Sequence, residues 1–384
     1  MTTRPPLYCA SDKEVFDVLM ASKQRVSEQV LHSLSRDRGI FYGQGASRDW
    51  LADRISLLPH DALDLDSIMD RRSPKPRAEK LTCVTLSAAL SVEEIKNAVK
   101  QYAESDTKDE TVRSSQSGTD RLVMDVDYTE IDYGKTRLIQ RRSKTAAIEF
   151  IVDGDTTVIR FPANDKARSI TNAIKDRIEA NKKQTIQADE ITLDGLNTAE
   201  MRTQFFIELI TKLKGYKLEN VTSIRVDSVL PELLDAGKAD EDAAEDGALN
   251  LEDDQSVELA KEKMLHLVRN IAMKGNSLLS SSEYQDLRDK GFYLSAVIWR
   301  SKMDGAQTIV EFEAAFEDPE AGRGFKYAAR GAFYAGKQGL TKTLRPIPES
   351  QKQELLTLIE GAAQAALQKL RPVASVITNG SDPQ

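Results

Sequence analysis

The apolar positions of this chain change their spacing along its length, and the changes divide it into parts. Residues 13–35 carry apolar side chains at helical spacing, namely Val15, Phe16 and Leu19, then Val26, Val30, Leu31 and Leu34. Ser27 is placed to cap the second of these helices and Gly39 to stop it. Ser47 opens another helix, in which Trp50, Leu51, Ile55 and Leu58 form one face before Pro59. A further short helix is predicted over 62–69.

From Leu81 the period shortens to that of strands, with helices between them. Strands are predicted at 81–86, 122–131, 136–141, 146–152, 156–161, 186–193 and 221–229, and helices at 92–102, 165–182 and 199–213. Ser91 with Glu94 is a capping box, Asp153-Gly154-Asp155 is a hairpin signal, and the polar run 106–120 reads as a loop. Farther on, helices at 257–272 and 282–290 precede strands at 292–299, 308–316 and 325–334 and a long helix at 350–370. The order is neither a regular βαβ alternation nor a repeat. It predicts an α+β protein in which a small helical module (1–70) precedes two mixed α+β domains (81–231 and 256–371) with mainly antiparallel sheets. A tail, 372–384, follows them.

Composition sharpens the junctions. Hydrophobic residues make up 40% of the chain and charged residues 30%, which describes a globular protein. Between Glu232 and Asp254 stand ten acids against one base, a net of −9; the whole chain carries −8, so the rest carries +1. That acidic stretch has few apolar anchors and predicts a disordered linker over 232–255. A nearly neutral body with local basic patches can bind a polyanion, so the acidic total does not exclude nucleic acid. The segment 71–80 is basic, with Arg71, Arg72, Lys75, Arg77 and Lys80 against Glu79, and its prolines mark it as an exposed linker. No apolar run is long enough to span a membrane, and the N-terminus lacks a signal-peptide core. Two cysteines, Cys9 and Cys83, fit a reducing cytoplasm, the expected location.

Residues 26–59 have the outline of two short helices joined by an extended loop. With Ser27 opening a helix, Leu31 and Leu34 inside it, Gly39-Ile40 closing it, and Ser47, Leu51 and Ile55 on the next helix, this segment resembles the SAP/LEM group of helix–extended-loop–helix domains. The resemblance implies a DNA backbone lying against the loop and the start of the second helix, where Arg36, Arg38, Arg48 and Arg54 would supply charge. Asp37, Asp49 and Asp53 partly offset those arginines. Arg71, Arg72, Lys75 and Arg77 extend the same contact. A second basic cluster surrounds the strand expected at 136–141, where alternation would put Arg137 and Arg141 on one face, with Arg142 beside them and Tyr128 and Tyr133 near in sequence.

Candidates for catalysis are sparse. Asp125 and Asp127, two apart on a strand, with Glu149, form a set that a metal-dependent nuclease would need, but they read more simply as the polar face of a half-exposed strand. Glu311 and Glu313 repeat that pattern. Only His32, His60 and His266 are present, and the cysteines have no partner at metal-ligand spacing. No catalytic residue, metal or cofactor is assigned. The expectation is a non-enzymatic DNA-binding accessory protein that positions a protein partner, in the manner of phage-defence or mobile-element systems. The alternatives are a protein-interaction adaptor that uses the aromatics Phe292, Tyr293, Trp299, Phe325, Tyr327, Phe333 and Tyr334, and the nuclease.

Overall fold

The structure, a computed structural model, describes residues 10–21, 23–72, 79–105, 110–135, 137–228, 270–275, 277–336 and 339–371. Lys75 and Arg77, the acidic stretch 232–254, residues 257–269 of an expected helix and the tail 372–384 lie outside the described residues. The fold is α+β with mainly antiparallel pairing. Two compact units are present, Met1–Ala78 with Leu90–Val152 and Ser169–Gln184, and Glu79–Ala89 with Asp153–Arg168 and Thr185–Gln384. Among the described residues, no helix is long and apolar enough to cross a membrane.

The first unit begins with four helices, α1 (Asp12–Met20), α2 (Glu28–Asp37), α3 (Arg48–Ser56) and α4 (Ala62–Arg72). Ser11 and Glu14 form a capping box on α1, and the Ser47 hydroxyl accepts from the Trp50 N–H at the start of α3. Gly39 ends α2 at φ +74°, a conformation that favours glycine. Val15, Val18, Leu19, Leu31, Leu51 and Ile55 are buried together in the core of this module. Trp50, expected on the inner face of α3, instead lies outside at 43% exposure, edge-on to Tyr42 at 5.5 Å. Its neighbours Leu51 and Ala52 take the interior, and the helical turn leaves Trp50 on the opposite side.

Beyond the helices come α5 (Val92–Glu104), β2 (Glu110–Gln116), β3 (Arg121–Ile131), α6 (Arg137–Gln140) and β4 (Arg141–Asp153). Two expectations change here. Residues 110–116, read as loop, form an edge strand paired with β3 from Glu110↔Tyr128 to Gln116↔Leu122. An edge strand needs little apolar content, because the pairing satisfies its backbone while its side chains remain in water. Residues 137–140, read as strand, form a single helical turn because Leu138 is drawn into the core of the four-helix module, at 7% exposure. The pairing of β3 with β4 therefore starts at Ile131↔Arg141. Leu122, Met124, Val126 and Tyr128 of β3 and Ala146, Ile148 and Phe150 of β4 are buried on one face. Helix α7 (Asp165–Lys182) is held to α5 by Arg177 over the Tyr102 ring at 5.1 Å and by the Lys182–Glu94 ion pair at 3.0 Å.

In the second unit, β1 (Leu81–Leu86), β5 (Thr156–Pro162), β6 (Ala188–Glu190), β7 (Tyr216–Ser228), β8 (Asn270–Lys274), β9 (Phe292–Met303), β10 (Ile309–Asp318) and β11 (Arg323–Phe333) build the sheet. Its order is β5-β1-β11-β10-β9-β7-β8, with β6 also against β1. Strands from 81–231 and from 256–371 thus belong to one sheet, and the acidic stretch between them does not separate two sheets. Residues 270–272, expected at the end of a helix, pair instead with β7, as in Ile271↔Val226. Helices α8 (Ala199–Thr211) and α9 (Ser282–Asp289) and the long α10 (Glu349–Leu370) complete the unit. Its core contains Phe205, Phe206, Trp299, Phe312, Phe316, Phe325, Tyr327, Leu356 and Ile359. Phe292, Tyr293, Trp299, Phe325 and Tyr327, offered by the adaptor alternative as an interface, are all buried here.

A charged pair lies inside this core. Arg160 on β5 is 1% exposed and donates to the Glu360 carboxylate through Nε (2.6 Å) and a terminal nitrogen (2.9 Å). It also donates to Gln353 at 2.6 Å and Thr357 at 2.9 Å, so its partners are successive residues along one face of α10. The Tyr327 hydroxyl from β11 donates to the same Glu360 carboxylate. Burial, with the Glu360 charge beside it, pushes the neighbouring Cys83 thiol far above its ordinary range. In a Cys9→Ser variant, a thiol reagent at neutral pH should leave the native protein unlabelled and label Cys83 once denaturant is added; rapid native labelling contradicts this burial. Glu360→Ala strands a buried guanidinium and should lower stability by about 3–5 kcal/mol in urea unfolding. The double variant Arg160→Met with Glu360→Leu should lose less than the single one.

Candidate nucleic-acid interface

The arginines expected to meet DNA in the helical module have two different fates. Arg48 reaches inward from α3, donating to the carbonyls of Val26 (3.0 Å) and Leu19 (2.5 Å), and its side chain is 16% exposed. Arg38 contacts His60 Nδ1 at 3.3 Å, donates to the Pro59 carbonyl and pairs with Asp64 at 3.4 Å. Both arginines act as internal struts, with donors already engaged within the module. At the start of α3, Asp49 sits between Arg48 at 2.8 Å and Lys23 at 3.1 Å, whose hydrogen bonds hold its carboxyl below the usual range. A carboxylate already occupies the positive end of that helix.

Arg36 and Arg54 remain on the surface. Arg36 donates from Nε to the His32 carbonyl at 3.2 Å, and Arg54 lies over the Trp50 ring at 5.5 Å with Asp53 at 4.0 Å. Arg71 and Arg72 lie in the last turn of α4, and Arg137 lies in α6.

The second expected cluster is rearranged. With 137–140 helical, Arg137 and Arg141 are not alternate residues of one strand. Arg141 and Arg142 open β4, opposite Ile131 and Glu130. The turn that joins β3 to α6 is fixed by backbone bonds, from Asp132 N–H to the Gln140 carbonyl (2.8 Å) and from Lys135 N–H to the Asp132 carbonyl (3.1 Å). The Asp132 carboxylate also accepts from the Gly134 N–H at 3.1 Å and pairs with Lys135, which holds its pKa down. Between residues 130 and 144 stand five bases and two acids. Each acid has a lysine, Asp132 with Lys135 and Glu130 with Lys144 at 3.0 Å. Arg141 and Arg142 are exposed, and neither guanidinium makes a hydrogen bond or close ion pair among the described residues. Tyr133 stands at this tip with 81% of its surface in water, and Ile131 with 39%. Leu138, in the module's core, ties the tip to the helices, so both expected basic regions belong to one unit.

Two of the three carboxylates of the nuclease alternative are already engaged by arginines. Asp127 accepts from Arg113 at 2.7 Å and from the Thr145 hydroxyl at 2.6 Å, and Glu149 accepts from Arg121 at 2.8 Å. Asp125 lies opposite Arg113 and Ala147 in register. Among the described residues, no group of three or more His, Cys, Asp or Glu side chains is placed to hold a metal ion. Neither a protein-family model nor a curated protein matches this sequence.

Glu311 and Glu313 on β10 belong to a chain of ion pairs that residue spacing does not reveal. Glu311 pairs with Arg300 at 2.9 Å and Arg330 at 3.2 Å, and Glu313 with Arg330 at 3.5 Å and with Lys80. The register between β10 and β11 shifts at Glu311/Phe312, leaving Arg330 between Ala329 and Gly331 and within reach of both carboxylates. A bulge carries no reliable signal in a single sequence. The strut role of Arg48 is directly testable. Arg48→Ala leaves two part-buried carbonyls without their donor and should cost about 1–3 kcal/mol in chemical unfolding, whereas Arg54→Ala should cost far less.

Proposed function

We propose that this protein is a non-enzymatic DNA-binding accessory protein that makes its principal contact through the β3–α6–β4 tip of the first unit. The observation that carries the reading is the charge balance at the tip. Both acids are matched by lysines, and Arg141 and Arg142 are left exposed on the first two positions of a strand. Arginines held on a rigid element without a direct ion pair, as here where Arg142 acts on Asp132 only through its charge, are suited to phosphate, because the guanidinium is always charged and presents a planar fork of donors. The resemblance of 26–59 to DNA-docking helical modules points the same way. Within that module, Arg36 and Arg54 are the arginines with exposed side chains to offer, while Arg38 and Arg48 support the helices. The binding surface, the engagement of Asp127 and Glu149 by arginines, and the want of a metal-holding cluster among the described residues support the accessory role, and a protein partner is part of the proposal.

A fluorescence-anisotropy titration of the full chain tests this, using a mixed-sequence oligonucleotide offered both as duplex and as separated strands. Binding of either form at low salt is expected, weakening steeply as salt rises. Arg141→Ala with Arg142→Ala should weaken it at least about tenfold and reduce the slope of log affinity against log salt by about 1.4–1.8, since each of the two lost phosphate contacts contributes about 0.7–0.9. No binding of either form at low salt, or an unchanged slope in the double variant, would sink the proposal.

A further inference from the structure

We infer that the tip takes an unpaired DNA strand, with the Tyr133 ring as the platform on which a base stacks. This rests on the DNA-binding reading above and names the form of DNA. Tyr133 is the most exposed large apolar side chain among the described residues, at 81%, and its ring has no hydrogen-bond or ring partner among them. A ring left in water forgoes the burial that ordinarily stabilises an aromatic residue.

Nor is the ring on a slack loop. The turn is closed on both sides of it by the bonds of Asp132 to Gln140, Gly134 and Lys135. A few residues on, Leu138 is anchored in the core of the helices. A platform held in place this way binds with little loss of conformational freedom.

Charge selects the ligand around the ring. Arg141 and Arg142 occupy adjacent strand positions and so point to opposite sides of the sheet, one beside Ile131 and the other beside Glu130. Phosphates on either side of a stacked base can meet them. A duplex offers the ring nothing without unstacking a base step, which costs a few kcal/mol, whereas the bases of a single strand are already open to stacking. The exposed Trp50 ring of the helical module is less suited. Trp50 is already covered by Arg54, with Asp53 beside it and Asp49 adjacent in sequence.

The test compares wild type, Tyr133→Ala and Tyr133→Phe for binding to a single-stranded DNA oligonucleotide and to the matching duplex. Wild type should prefer the single strand. Tyr133→Ala should weaken single-strand binding about 5- to 150-fold, the range for one stacked base, with the salt slope unchanged, and Tyr133→Phe should retain it. Equal or tighter binding of the duplex, or a silent Tyr133→Ala, overturns the inference. If either result comes with a clear loss in the Arg141/Arg142 double variant, the DNA-binding reading itself survives. Failure of both DNA forms to bind wild type removes both.

Discussion

A guanidinium with about a hundredth of its surface in water is tolerable only when its donors are met, and in the second unit one helix supplies most of what Arg160 needs. Gln353, Thr357 and Glu360 recur along α10 at helical spacing, so a slip of that helix by one residue would turn the set away from the arginine. The apolar contacts of α10 do not specify position so narrowly. Leucines and alanines pack acceptably in several neighbouring registers, while a buried charge has one set of partners. Tyr327 adds a second strand to the arrangement by donating to the same carboxylate. One ionic group thereby fixes the helix against β5 and β11, and the aromatic core between α8 and the sheet assembles around that placement.

The first unit uses the same residue type in opposite ways. Arg38 and Arg48 are turned inward to carbonyls at the ends of helices, where they supply hydrogen bonds that short helices leave unmade. Arg141 and Arg142 begin a strand opposite Ile131 and Glu130, and the Glu130 carboxylate is already paired with Lys144. All four are arginines in polar surroundings in the sequence, and spacing alone does not distinguish them. Their roles follow from what lies across from each in space.

Much of the secondary structure was legible in local chemistry. The capping box at Ser91 and Glu94, the glycine stop after α2, the alternating apolar residues of β3 and the apolar runs of β9 and β10 all appear in the structure, because caps and periodicity act within a few residues. The misreadings share one cause. Residues 110–116 became a strand because a neighbour was there to pair with, and 137–140 became helical because Leu138 found a core built by residues between Val15 and Ile68, far earlier in the chain. The candidate interface was legible as a basic cluster near Tyr133, but the surplus of charge at its tip depends on which lysine meets which acid.

By itself the sequence determined the α+β class, the order of most elements and the location of the basic stretches, since these depend on residue type and short-range period. It did not determine how strands distribute between the units, which arginines are struts, or that a buried Arg160 meets Glu360 two hundred residues away. Those were decided by tertiary structure. Burial and charge pairing are properties of what surrounds a side chain, and most of the surroundings that matter here come from distant parts of the chain.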